Sequence, residues 1–205
     1  MPRPALTDEQ KRETRNKIRA AAAHIYREHG ATDISVRAVA AEAGVSVGTV
    51  YSYFENLAEL LQSLWRAPVR ALISEMDTLA ADHDDPHRRL EALMGAYLNF
   101  AQAQDTVFRN AFLFVRPEGI SPPPQVDLQR DRFFKIYQQT IEDGQVAGVF
   151  RAGDPAELVQ LVLSALHGSI SLPINLHRLA LDASGAVPNQ MIAAMLEWLG
   201  NVNAD

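Results

Sequence analysis

The chain contains no cysteine. That excludes a disulfide-stapled scaffold and any thiolate metal site, and it suits a reducing compartment. No run approaches the ~18 apolar residues of a membrane span. The first ten residues, Met1 to Gln10, hold prolines and then polar groups, without the apolar core of a secretory signal. A cytoplasmic protein with no membrane partner is therefore expected. There is also no glycine-rich phosphate loop and no Ser/His/Asp spacing that would support a nucleophile. The six histidines are scattered. Asp82, His83, Asp84, Asp85 and His87 read as a solvated loop and helix start. An enzyme is not expected, nor a cofactor, nor a metal site.

Strict period-2 alternation bounded by hairpin signals is missing as well, so the chain reads as all-α. Its 205 residues suit one large domain or two small ones, and hydrophobic residues at 47% are enough to bury a sizeable core. The net charge of -6 argues, taken whole, against a nucleic-acid binder. Its distribution argues otherwise. Residues 1–60 balance at zero, with 8 basic against 8 acidic side chains, while residues 61–205 hold 11 against 17 and carry the entire excess. Lys11, Arg12, Arg15, Lys17 and Arg19 stand against Glu13 alone. The basic end could face DNA, although a basic helix face is commonly just solvated.

Nine helices are expected. The first starts at Thr7, where Thr-Asp-Glu-Gln forms a capping box, and stops at Gly30. Ile18, Ala21, Ala22, Ile25 and Tyr26 form its buried stripe. Ser35 caps a short second helix, Val36 to Ala43, and Ser46 a third, through about Tyr53. Asn56 with Glu59 caps a fourth, in which Pro68 should introduce a kink or a division. Asp85-Pro86 opens the fifth, to about Gln104. The sixth spans Asp105 to Val115, and the proline-rich stretch Arg116 to Gln125 is a loop. The seventh covers about Val126 to Ala147. Asp154-Pro155 opens the eighth, to roughly Arg178, and the ninth runs from about Pro188 to Asn201. No linker separates a three-helix head, residues 1–55, from a body, residues 56–205.

The stretch from Ser35 to Phe54 has the requirements of a helix-turn-helix. Ala40 is small where two backbones must approach. Gly44 supplies a turn residue that tolerates positive φ. Val39, Val45 and Val50 are spaced to pin the two helices together. Taken alone, this pattern fits any surface helical hairpin equally well. The third helix tips the balance, because Val47, Thr49, Tyr51, Ser52 and Tyr53 are polar or aromatic groups suited to base edges and phosphate oxygens.

Gly-Val-Ser-x-Gly-Thr-x-Tyr-x-Tyr-Phe over 44–54, followed by Asn-x-x-Glu-Leu-Leu over 56–61, resembles the DNA-binding head of the TetR/AcrR repressors. The resemblance spans about residues 12–61. It implies a TetR-like fold with a helical ligand-binding and dimerisation domain behind the head. It also implies a ligand-responsive repressor that binds a palindromic DNA operator. Carried over by position, Ser35 and Arg37 meet phosphate or groove edge from the second helix. Ser46 caps and meets phosphate, Val47 and Thr49 face bases, and Tyr51, Ser52 and Tyr53 hold the backbone. One position departs: Leu57 stands where the family usually has a phosphate-binding Lys. The expected consequences are fewer phosphate contacts and a shallower salt dependence, with Lys11, Arg12 and Arg15 as the candidates to compensate.

Aromatics make up only 7% of the chain, so their crowding on helices four to seven is informative. Trp65, Tyr97, Phe100, Phe108, Phe112, Phe114, Phe133, Phe134 and Tyr137 read first as core. The resemblance adds a second reading, a pocket for a small, largely apolar effector, for which Trp65, Tyr97, Phe100, Phe108, Phe112, Phe134, Tyr137 and His167 are the candidates. Asn99, Gln102, Asn110 and Gln138 are the possible polar groups. Phe100-Ala101, Phe108-Arg109 and Leu166-His167-Gly168 resemble a subgroup with a Trp-His-Gly signature, Leu166 replacing the Trp. His167 is either a satisfied buried histidine or a pocket-facing donor. No second ligand stands three or four residues away to make it a metal site. Helices eight and nine carry apolar residues on more than one face, from Leu158, Leu161 and Leu172 to Met191, Met195 and Trp198. That surplus predicts a partner surface, and the resemblance implies a homodimer through these two helices. With a filled body and no effector, the same head would belong to an architectural DNA binder.

Overall fold

The computed structural model describes residues 7–29, 34–112, 130–176 and 178–200. Among them are nine α-helices and no strand: α1 Asp8–His29, α2 Val36–Glu42, α3 Val47–Tyr53, α4 Leu57–Asp82, α5 Pro86–Ala103, α6 Asp105–Phe112, α7 Arg132–Val146, α8 Pro155–Asn175 and α9 Ala186–Leu199. Phe114 and the proline-rich stretch 116–125 lie outside the described residues.

Local capping chemistry accounts for most helix starts. The Thr7 amide donates to Gln10 Oε1 at 2.9 Å and the Gln10 amide to Thr7 Oγ1 at 3.2 Å, the reciprocal box expected from the sequence. Ser35, Ser46, Asp85 and Asp154 each accept an amide of the first turn that would otherwise lack a partner. At α4 the Glu59 amide donates to Asn56 Oδ1, while Glu59 Oε2 accepts from the Glu55 amide.

Two boundaries differ from expectation, and one expected division does not occur. The described helix α7 begins at Arg132 rather than near Val126, because Asp131 accepts the Phe134 amide and acts as its N-cap. Helix α8 ends at Asn175, three residues short of Arg178, two residues after Pro173. Pro68 does not divide α4, which runs unbroken for 26 residues. Proline removes one donor and crowds the preceding turn, yet the helix continues on both sides.

The chain forms two compact units. One contains residues 7–69 together with 109–112. Its core joins Ile18, Ala22 and Ile25 of α1, Val39 and Ala40 of α2, Val50 of α3, Phe54, and Leu60 and Leu61 of α4. Leu64 and Trp65 pack against this core, so the head as a packing unit reaches past residue 55 into α4. The other unit contains residues 70–108 and 130–200. There α5 packs on α7 and α9, and α8 on α7 and α9. Arg151 donates its amide to the Leu199 carbonyl, and its guanidinium lies 4.7 Å from the Trp198 ring centroid. Together these contacts fasten the α7–α8 connection to the end of α9.

Helix α8 qualifies the statement that no segment is long and apolar enough to span a membrane. By length and a mean hydropathy of 1.3 it passes that test. In the fold it buries Leu158, Val162 and Leu166 against its neighbours, as a core helix would. Leu161 and Leu172 are exposed on the same helix and Val187 on α9, so the expected apolar surplus is present at the surface.

Candidate functional site

The turn between α2 and α3 has the geometry that the sequence demanded. Gly44 sits at φ +62, and the Val45 amide donates to the Ala40 carbonyl at 2.9 Å. Val39, Ala40 and Val50 are buried, and Val45 packs against them. This pinning leaves one side of α3 outward. Val47 is 37% exposed and Tyr51 52%, and Ser52, Ser35 and Arg37 are exposed too.

The structure separates residues that the sequence treated alike. Tyr53 is half-buried and packs against the head core, whereas Tyr51 projects outward. Ser46 Oγ accepts the Thr49 amide at 3.0 Å and lies 2.8 Å from Thr49 Oγ1. Ser52 donates its hydroxyl to the Thr49 carbonyl at 2.7 Å. These hydroxyls shape the first turns of α3 and retain free lone pairs or rotamers for an incoming phosphate. Gly48 is exposed on the same helix, and a side chain there would meet only Ser46 Oγ, at 3.7 Å.

Leu57 is half-buried against the head core, so its place is taken up by packing. Arg15 is also occupied within the head. It donates to the Tyr53 carbonyl, lies 4.6 Å from the Phe54 ring centroid, and pairs with Glu59 at 3.8 Å. Lys11 pairs with Asp8. Arg19 donates to the Ser63 carbonyl at 2.7 Å. Sequence reasoning missed this use of the basic helix, since nothing local shows which side chains reach across to α3 and α4.

In the second unit, four effector candidates come together. Tyr97, Phe108, Tyr137 and His167 form one aromatic cluster with Phe133, at centroid separations of 5.4 to 6.4 Å. Phe134 joins at its edge through Phe133. Tyr97, Phe108 and Tyr137 are fully or almost fully buried. The Tyr137 hydroxyl donates to the Leu93 carbonyl, and the Tyr97 hydroxyl lies 2.8 Å from His167 Nδ1. Phe100 and Phe112 are half-buried, and Trp65 belongs to the head core. Asn99 and Gln102 are exposed. The side chain of Asn110 lies outside the described residues. Gln138 lines an open groove between α4, α5 and α7 that sequence reasoning did not anticipate.

Burial lowers the His167 pKa and raises that of Tyr97, so the pair is neutral. A histidine whose pKa is lowered on folding supports the fold fully above its ordinary value of 6.5. That support is lost as pH falls from there toward the folded value, because the unfolded chain takes the proton first. Melting temperatures measured at neutral and mildly acidic pH should therefore fall more for the wild type than for His167→Gln. Equal falls would show that His167 does not titrate with unfolding.

Two protein families match the chain. The bacterial regulatory proteins of the tetR family match over residues 18–64, and the tetracyclin repressor-like C-terminal domain over residues 90–197. The chain is 32% identical over 142 residues to the HTH-type transcriptional repressor KstR of Mycolicibacterium smegmatis, which covers 68% of this chain and 69% of that protein. It is 30% identical over 133 residues to KstR of Mycobacterium tuberculosis, and spans 60% of that relative's length. The solved transcriptional regulator FadR from Bacillus subtilis, in complex with stearoyl-CoA, superposes with a TM-score of 0.69. It has 17% identity and covers 90% of this chain and 98% of the other.

Proposed function

Since this chain belongs to the TetR family of bacterial regulatory proteins, we propose that it is a ligand-responsive repressor that binds a palindromic operator as a homodimer in the cytoplasm. The observation that carries this reading is the outward face of α3, which presents Val47, Tyr51 and Ser52 beside Ser35 and Arg37 of α2. A recognition helix needs such a face on a rigid base. Val47 and Thr49 read bases. Ser35, Arg37, Ser46, Tyr51, Ser52 and Tyr53 position the head on phosphates. The DNA-binding domain is residues 1–55, with the first turns of α4 as its buttress, and residues 56–205 bind effector and partner. The exposed leucines of α8 and Val187 of α9 support dimerisation through these two helices.

The effector is small and largely apolar, and it acts at the aromatic cluster around Tyr97, Phe108, Phe134, Tyr137 and His167, with Trp65, Phe100 and Phe112 as further candidates. The acyl thioester held by the Bacillus subtilis FadR structure supports an apolar ligand. A hundredfold change in operator affinity requires the effector to favour one state by ~2.7 kcal/mol. Helix α4, which begins in the head core and extends to Asp82, is the element to carry that shift. The burial of Tyr97, Phe108 and Tyr137 against one another favours a second reading, an architectural DNA binder with a filled body. A thermal-shift screen of apolar carboxylates and thioesters separates the two.

Genome-wide capture of DNA by the purified protein should enrich a two-fold symmetric sequence, and an electrophoretic shift should confirm it. Enrichment without any shared sequence would overturn the repressor reading. Salt dependence refines it. Leu57, Arg15 and Arg19 are occupied within the head, whereas Arg12 is exposed near the start of α1 and available to meet phosphate. Arg12→Ala should flatten the plot of log affinity against log salt by about 0.9, whereas Arg15→Ala should leave the slope unchanged and lower affinity by loosening the head. The opposite pattern would show that the pairing of Arg15 breaks on DNA.

A further inference from the structure

An open groove of about 740 Å³ lies between the last turns of α4, the start of α5 and one wall of α7. It is apart from the aromatic cluster: none of the five rings lines it. Its lining is mostly polar, with Ala80, Ala81 and Ile136 as the apolar exceptions. On α7, Arg132, Lys135, Gln138 and Glu142 face it in sequence, with Asp77 of α4 and Arg89 of α5 opposite.

The charges in this groove are not mutually satisfied. Arg89 is committed to Asp143 and to the carbonyls of His83 and Asp84. Arg132 reaches across to Asp77 of α4, which ties α7 to α4. Lys135 has no acidic partner among the described residues. Among the described residues, Glu142 accepts only the Gln138 side-chain amide, at 2.9 Å, and has no cation. Lys135 and Glu142 cannot neutralise each other. Seven residues apart on one helix, they are separated by about 10 Å along the axis, well beyond ion-pair reach and close to the Debye length. The groove is thus cationic at one end and anionic at the other, with amide groups of Gln138 between.

We propose that this groove is a second ligand site, for an elongated dipolar molecule with a carboxylate or phosphate at one end and an ammonium or guanidinium about 10 Å away. The anion sits at Lys135 and Arg132, and the cation at Glu142. A ligand with an anion alone is opposed by Asp77 and Glu142, which is why the class is dipolar rather than anionic. Arg132 is 60% exposed, and a surface pair of this kind opens at little cost. An anion seated on Arg132 competes with Asp77 and so loosens α7 from α4. Binding stands independently of the repressor reading. Only an effect on DNA would rest on that reading.

The test is calorimetric titration of the full chain, without DNA, using straight-chain ω-amino acids of increasing length. Saturable binding should peak near the eight-carbon member. Octanoate and octylamine, each with one charge, should bind at least tenfold more weakly. Glu142→Gln should weaken the amino acid tenfold and leave octanoate no weaker, while Lys135→Ala should weaken both. Both side chains lie outside the core, and an unchanged melting temperature shows that the variants fold. Absence of saturable binding by any member, equal affinity for octanoate and the amino acid, or indifference to Glu142→Gln would each overturn the proposal.

Discussion

Replacing Gly144 by alanine is expected to destabilise the protein by about 3 kcal/mol, toward the upper end of what overpacking a core costs. The sign is the informative part. Glycine to alanine inside a helix ordinarily stabilises by about 1 kcal/mol, and sequence reasoning places residue 144 within α7, in its last turn. In the fold, a Cβ at this position would lie 2.0 Å from Cδ2 and 2.5 Å from Cε2 of Phe150. That ring is 2% exposed and cannot swing away freely. The Val149 and Phe150 amides both donate to the Gly144 carbonyl, and Phe150 also bridges to Gly200. Relief of the clash requires the α7–α8 connection to leave the end of α9. Urea unfolding should show a lower midpoint with an unchanged slope, the mark of lost stability rather than a changed unfolded state. A midpoint that rises would show that the ring relaxes without cost.

Tyr51→Ala is expected to leave unfolding within about 0.5 kcal/mol of wild type, as for other surface changes, and to weaken operator binding at least tenfold, about 1.4 kcal/mol. Tyr51 is half exposed on the outward face of α3, so the folded chain loses little when it is truncated. DNA loses both the ring and the hydroxyl. Tyr53→Ala should behave differently, lowering stability and affinity together, because Tyr53 packs on the head core. Gly48→Ala offers a control in the opposite direction. The added methyl meets only Ser46 Oγ at 3.7 Å in the free protein, so stability is kept or raised, while close approach to the DNA backbone is obstructed. Fluorescence anisotropy on the captured operator, paired with unfolding curves, checks all three. If Tyr51→Ala binds as the wild type does, α3 does not meet DNA through this face.

Much of this protein could be read from the order of its residues. The helix starts at Thr7, Ser35, Ser46, Asn56, Asp85 and Asp154 depend on a side chain accepting an amide two or three residues on, and such chemistry is complete within a few residues. The positive φ of Gly44 and the burial of Val39 and Val50 follow from spacing in the same way. The motif around 44–61, read as a set, pointed to the family that the wider comparisons show.

What spacing could not reveal concerns groups brought together from distant parts of the chain. Whether Arg15 is offered to DNA or held by Tyr53, Phe54 and Glu59 depends on where α3 ends relative to α1. Whether Tyr51 or Tyr53 is outward depends on which face Val50 turns into the core. The hydrogen bond between Tyr97 and His167 joins residues 70 positions apart. The dipolar groove needs α4, α5 and α7 side by side, and the intolerance of Gly144 needs the Phe150 ring above it. The sequence alone determined the helices, most of their caps and the family. Only the tertiary structure decided which charges and rings remain available for a partner, because availability is what is left after long-range packing has claimed the rest.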